Sequence, residues 1–383
     1  MTAHPTAHPD DVVRGGSHTS REIRQQPALW RQVGDVVAAV RSFVEPLVSR
    51  PDLRIVLTGA GTSAFAGEVV APTLRAHLRC RVDAVSTTDI VAAPQDCFSQ
   101  DVPTLLVSFA RSGDSPESVA ATELADELLS EVHHVVLTCN PAGRLAGRYG
   151  AHDRAHVALM PEGANDQGFA MTSSFTTMAL TALLTFVPAV DGGLAGRLAD
   201  VVDDVMEAWD TLAGQRAEHG YQRIVYLGSG ALKGLAHESA LKVLELTAGR
   251  TLAMGDSPLA FRHGPKSVLD DDTLVVVYLS NDEYTRTYDL DLLAELRESR
   301  GAEHVLALTA DHGDDVSAST PLLLPDCRDL PDAALALAAV VLAQLMALRF
   351  SMALGLTADN PFPSGEVNRV VQGVRIHAYD KRR

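Results

Sequence analysis

Glu238, Lys242 and Glu245 fall at intervals of four and three residues in the stretch GSGALKGLAHESALKVLELTAGRTLAMGDSPLAFRHGPK, which runs from Gly228 to Lys266. Helical residues three and four apart share a face, so a helix here lines two carboxylates and one ammonium along one stripe. Ala240, Leu241, Val243, Leu244 and Leu246 supply apolar flanks, the pattern of a helix facing a site rather than bulk water. His263 follows in Arg262-His263-Gly264-Pro265. A carboxylate that shuttles a proton and an imidazole that opens a ring would suit sugar chemistry. The same spacing also fits an ordinary i,i+4 ion pair on a solvated face, and spacing alone leaves both readings open.

The elements that must position this helix repeat along the chain. Arg54-Ile55-Val56-Leu57-Thr58-Gly59-Ala60-Gly61 returns as Arg223-Ile224-Val225-Tyr226-Leu227-Gly228-Ser229-Gly230, and Thr104–Ser108 returns as Thr273–Val277; both offsets, 223 − 54 and 273 − 104, are 169. A third apolar run, Val135–Thr138, has its partner at Val305–Thr309 with the offset slipped by two. Continuous apolar runs alternating with amphipathic segments predict parallel strands with helices on both faces. The fold class is therefore α/β, as two tandem three-layer αβα units related by internal duplication.

The halves differ where the first holds Ser108-Phe109-Ala110-Arg111-Ser112-Gly113-Asp114-Ser115-Pro116-Glu117. A turn of hydroxyls and glycine running into a helix that starts with Pro116 and Glu117 makes a phosphate cradle from Arg111, Ser112, Gly113 and Ser115. A second such turn is Gly61-Thr62-Ser63. Plain helix capping is the other reading of each turn. Two of them at the ends of neighbouring strands favour phosphate binding, because open parallel sheets bind ligands there. The 169 offset carries Ser112–Ser115 onto Asn281-Asp282-Glu283-Tyr284, where carboxylates would repel an anion. One half is thus expected to hold the phosphate and the other to supply the acid–base helix. Gly59-Ala60-Gly61 is neither a Walker A loop nor a dinucleotide fingerprint, since neither Gly-Lys-Ser/Thr nor a third glycine follows.

The chain has 383 residues, 46% hydrophobic and 21% charged, with a net charge of −17. That charge argues against nucleic-acid or anionic-membrane partners. Four scattered cysteines, Cys80, Cys97, Cys139 and Cys327, fit a reducing cytoplasm. The 14 histidines form no ligand cluster, so neither a metal nor a cofactor is expected. No signal peptide is expected from the first residues. The apolar runs Met178–Val190 and Ala333–Leu356 are interrupted by polar residues and read as buried core helices. Residues 1–18 read as a flexible tail and 19–50 as N-terminal helices, the first capped by Thr19 or Ser20 and the second over Leu29–Val48. Residues 51–200 and 201–358 read as the two sheet domains, and 359–383 as a C-terminal tail over the site.

LTGAGTS, SFARSGDSPES and the HESALKVLE…FRHGP block resemble the SIS (sugar isomerase) domain family in its double-domain arrangement, over about residues 50 to 380. The last block is similar to the isomerase half of glucosamine-6-phosphate synthase. That resemblance implies that Glu245 moves the proton between C1 and C2. It also implies that His263 helps open the ring, that Lys242 and Glu238 support transfer, and that a homodimer shares its sites. The chain departs in lacking an N-terminal cysteine nucleophile, and in Ala110-Arg111-Ser112, where the synthase has Ser-Gln-Ser. HTSREIRQQPALW at 18–30, GFAMTSSFT at 168–176 and NPFPSGEVNRVVQGV at 360–374 resemble more closely the tagatose-6-phosphate ketose/aldose isomerases, also described as galactosamine-6-phosphate deaminase/isomerases. This implies a sugar site lined by Ser173 or Ser174, with an N-cap role equally open, and a tail with Asn368 and Arg369 as polar contacts. The implied reaction converts galactosamine 6-phosphate to tagatose 6-phosphate and ammonia. The alternatives are isomerisation of a non-amino hexose phosphate, or sugar-phosphate sensing without catalysis.

Overall fold

The computed structural model describes residues 8, 11–12, 15–311, 322–371 and 373–380. Two compact units divide the chain: one of residues 32–165, 174–188 and 364–383, the other of residues 1–31, 166–173 and 189–363. Each is built from interleaved segments, and the helix Leu194–His219 runs across residue 200. Most of the tail expected over 1–18 lies outside the described residues, and Ser17 and His18 already belong to a helix.

The first unit carries strands β1 (Arg54–Thr58), β2 (Arg81–Ala84), β3 (Thr104–Phe109), β4 (Val132–Thr138) and β5 (Ala155–Leu159). They pair in parallel in the order β2-β1-β3-β4-β5. The second unit carries β6 (Arg223–Leu227), β7 (Leu252–Asp256), β8 (Thr273–Tyr278), β9 (Val305–Thr309) and β10 (Leu322–Leu323). Their order, β10-β9-β8-β6-β7, is the same winding read from the other edge, again all parallel. Arg54 pairs with Thr104 and Arg223 with Thr273, so the register itself is duplicated. Every residue of β1, β3 and β8 is buried, as apolar strands covered on both faces must be.

Helices cover these sheets through ordinary apolar burial. In the second unit Leu292, Leu293 and Leu296 of the helix Glu283–Arg300 pack on Val225, Leu227, Val275 and Val277. In the first, Ala121 and Ala125 of the helix Pro116–Leu128 pack with Ile90 on Val56 and Leu106. Each buried Val or Leu contributes about 1.5–3 kcal/mol. The helix Asp332–Ala353 is long and apolar enough to cross a membrane, but 94% of its apolar window is buried inside the protein. It is a core helix, packed against the helices Leu194–His219 and Ala231–Leu246.

Two N-terminal expectations are corrected. The helix expected over Leu29–Val48 is two helices, Gln26–Trp30 and Gly34–Val48. The break falls where Arg31 turns to Asp200 and Asp203 of the helix Leu194–His219 and before Gly34, a poor helix former. The first helix, Ser17–Arg24, is not capped by Thr19 or Ser20. Its cap comes from across the chain: the Asp359 carboxylate accepts the His18 and Thr19 N–H groups at 3.0 and 2.8 Å. It also accepts the Thr19 hydroxyl at 2.8 Å. An anion is well placed at a helix N-terminus, where unpaired N–H groups gather.

Candidate active site

In the second unit, β6 ends in Gly228-Ser229-Gly230 and the helix Ala231–Leu246 starts at once. Gly230 holds φ 56° and ψ −122°, a conformation essentially reserved for glycine. Further along the helix, Glu238 and Lys242 are wholly buried, whereas the Glu245 side chain is 25% exposed. Lys242 Nζ lies 2.5 Å from Glu245 Oε2 and 3.4 Å from Glu238 Oε1. Burial works against the ammonium, but the two carboxylates outweigh it and hold Lys242 above its ordinary range. The polar stripe is therefore a buried ion triad, not a solvated surface pair. Beneath it, the Ser239 hydroxyl donates to the Leu235 carbonyl at 2.7 Å and meets the Tyr278 hydroxyl at 2.8 Å.

His263 sits just past the short helix Pro258–Phe261, exposed, with its backbone N–H donated to Ala260 at 2.9 Å. Among the described residues its ring makes no hydrogen bond or ion pair, and so none with the triad.

In the first unit, Gly61 repeats the Gly230 conformation with φ 54° and ψ −126°. Gly61 occupies the N-cap position, so Thr62 and Ser63, both buried, are the first residues of the helix Thr62–His77. Arg111 is buried after β3 and donates to the Arg369 carbonyl at 3.1 Å. Ser112 Oγ accepts the Asp114 N–H at 3.3 Å, and Gly113 holds φ 67°. Ser115 is the N-cap of the helix Pro116–Leu128, yet its hydroxyl donates to Ser118 Oγ at 2.6 Å and makes no capping bond.

This loop is held from below by residues that sequence reasoning missed. The Asn140 amide donates to the Ser112 carbonyl at 2.9 Å, and the Asp114 carboxylate accepts the Arg144 N–H at 2.9 Å. A Cβ on Gly143 would stand 2.4 Å from the Ser112 carbonyl oxygen, so only glycine allows the two loops to approach. Asn140-Pro141-Ala142-Gly143 is a turn signature directly after an apolar strand, the one signal that could have found them.

Among the described residues, the loop after β8 in the second unit is built differently. Six residues, 110–115, join β3 to its helix, but only four, 279–282, join β8 to the next. The constant offset therefore fails here, and Asp282, not Tyr284, stands where Ser115 does. Asp282 caps its own helix, accepting the Thr285 N–H at 2.8 Å, which lowers its pKa.

Ser173 and Ser174 are buried at the start of the helix Ser173–Phe186. The Ser173 hydroxyl donates to the Glu22 carbonyl at 2.6 Å and accepts the Gln25 amide at 3.0 Å. The helix start is capped by Asp166, which accepts the Thr172 and Ser173 N–H groups, each at 2.9 Å. Glu22, another residue the sequence did not single out, accepts the Gln167 N–H at 2.5 Å and the Gly168 N–H at 3.1 Å. Burial, with the Asp166 charge beside it, pushes the Glu22 carboxyl up to about 8. In the tail, Arg369 meets Arg111 through its carbonyl, while the exposed Asn368 donates to the Gly365 carbonyl at 3.2 Å, its one side-chain bond among the described residues.

Comparison with known proteins agrees with the duplicated architecture. The SIS domain matches residues 48–188 and again 220–354. D-galactosamine-6-phosphate deaminase AgaS of Escherichia coli is 49% identical over 372 residues, spanning 95% of this chain and 96% of that one. A Streptomyces coelicolor protein carrying the same name provisionally is 58% identical over 99% of both chains. The crystal structure of tagatose-6-phosphate ketose/aldose isomerase from Escherichia coli superposes with a TM-score of 0.88 at 43% identity, over 98% of this chain and 100% of that chain. This chain, with its two matched halves, belongs to the SIS domain family.

Proposed function

We propose that the chain is an amino-hexose-phosphate deaminase/isomerase that converts D-galactosamine 6-phosphate to tagatose 6-phosphate and ammonia. The names of its full-length relatives support this substrate and product. The observation that carries the mechanism is the buried triad with one open member. Lys242 and Glu238 are sealed from water and Glu245 is not, so Glu245 is the carboxylate a substrate can reach.

The chemistry needs one base and one water. Thr62, Ser63, Arg111, Ser112 and Ser115 hold the phosphate, and His263 assists ring opening. Glu245 takes the C2 proton of the open aldehyde, and the electron pair moves onto the C1 oxygen, which picks up a proton from solvent to give an amino-enol. The same carboxyl returns a proton to C1, leaving a C2 iminium. Water adds at C2, the C–N bond breaks, and ammonia leaves with the ketose phosphate. Lys242, held in its charged form by two carboxylates, pairs with Glu245 at 2.5 Å and orients it for the first step.

The same reading makes the working enzyme a homodimer in which His263 completes the site of a second copy. The exposed, unbonded ring of His263 supports that role. A cytoplasmic location fits four cysteines that form no disulfide. The second reading, a ketose/aldose isomerase without loss of nitrogen, is favoured by the name of the solved relative. Ammonia release from galactosamine 6-phosphate, with glucosamine 6-phosphate alongside, decides between them. Release from the galacto sugar is expected; no ammonia from either, with turnover of tagatose 6-phosphate, would establish the isomerase.

A further inference from the structure

Ser229 and Ser280 lie within two residues of the ends of β6 and β8, the strands between which the second sheet reverses its order. In an open parallel sheet the crevice at that point is where ligands bind. Here a side chain of the protein bridges it. Asp289, wholly buried in the helix Glu283–Arg300, accepts the Ser229 hydroxyl on Oδ1 at 2.6 Å and the Ser280 N–H on Oδ2 at 3.0 Å. Around it, Asp332 accepts the Ser280 hydroxyl at 2.5 Å and the Asn281 N–H at 2.8 Å. The buried Arg286 donates to the Ser280 carbonyl at 3.3 Å and the Thr309 hydroxyl at 3.1 Å.

The first unit lacks both partners of this contact. Ala60 stands where Ser229 does, at 229 − 169. Counting seven residues past the helix cap, as Asp289 lies past Asp282, leads from Ser115 to Thr122, whose hydroxyl donates to Val119 of its own helix at 2.8 Å. The unit with the serine-rich cradle carries no carboxylate there, and the other unit does.

We propose that Asp289 is a resident anion: it fills the ligand crevice of the second sheet and pins the turn from which the acid–base helix starts. It is a positioning residue for the reaction, which rests on the reading of Glu238, Lys242 and Glu245 given above. The lever is long. Glu245 lies about 21 Å along the helix from the pinned turn, so a tilt of about 3° displaces it by ~1 Å, enough to cost up to ~100-fold in rate.

The test uses the full-length protein with Asp289→Ala, Asp289→Asn and Ser229→Ala. Each is assayed for kcat and KM on galactosamine 6-phosphate and for thermal midpoint, with sodium formate or with sodium chloride at matched ionic strength. Asp289→Ala is expected to lose about 10-fold in kcat with KM held within about two-fold. Formate, the size of the missing carboxylate, restores at least about three-fold of that loss and raises the midpoint, while chloride does neither and the original protein does not respond. Asp289→Asn keeps the volume, loses rate and is not rescued. A folded Asp289→Ala with unaltered kcat, or one indifferent to formate, overturns the proposal. If Asp289→Ala does not fold, Ser229→Ala carries the test, and an unchanged kcat there overturns it. Should the original protein release no ammonia, the functional reading fails, and the midpoint response of Asp289→Ala to formate still decides whether Asp289 is a resident anion.

Discussion

Gly61 and Gly230 hold the same backbone conformation, φ 54° with ψ −126° and φ 56° with ψ −122°, at the starts of two helices of equal length. One helix follows β1, next to the strand that leads into the serine-rich loop 110–115, and the other carries the ion triad. The duplication therefore preserved the turn and diverged in what the turn presents.

That turn is held by two glycines for different reasons, which stability measurements separate. Nothing lies within 4 Å of a Cβ placed on Gly230, so Gly230→Ala pays only backbone strain, about 1–3 kcal/mol. On Gly228 the Cβ would stand 2.5 Å from the Leu232 carbonyl oxygen. Gly228→Ala must displace the helix itself and is expected to be the more destabilising of the two in urea unfolding.

Lys242→Met leaves Glu238 and Glu245 without their counter-charge. Removing one partner of a buried ion pair costs about 3–5 kcal/mol. The double variant Lys242→Met, Glu238→Gln should regain part of that loss, a coupling that a double-mutant cycle in denaturant measures. Strict additivity would mean that the two side chains do not interact.

Arg111→Lys should raise KM for the sugar phosphate about 10-fold with little change in kcat, because a point charge replaces a planar fork in a group assigned to uniform binding. A fall in kcat at unchanged KM would instead place Arg111 at the reacting carbons.

Glu22 gives a pH signature. Its folded pKa, about 8, lies above the ordinary 4.5, so between these values the folded state binds a proton that the unfolded state releases. Its contribution to stability is therefore fully present below pH 4.5 and declines as pH rises to about 8. Glu22→Gln keeps the neutral form and should flatten that slope, becoming the more stable protein at the alkaline end in thermal scans across the range.

The sheets were legible in the sequence because buried parallel strands read as unbroken apolar runs, and β1, β3, β6 and β8 repeat at one offset. The triad was legible because its spacing is helical. The rest depended on distance or on burial. Asp359 caps a helix 340 residues before it in the chain, and no local pattern announces such a partner. Glu22 and Asp289 are acids on helices, which read as surface until tertiary packing buries them. The loss of two residues between β8 and its helix was hidden because a constant offset assumes equal loops.

The central claim is that Glu245 moves the proton. Galactosamine 6-phosphate carrying deuterium at C2 should give ammonia and tagatose 6-phosphate with some of the label at C1. Glu245→Gln should abolish both products while still binding the sugar phosphate. Glu245→Gln protein that releases ammonia at the original rate would contradict the account.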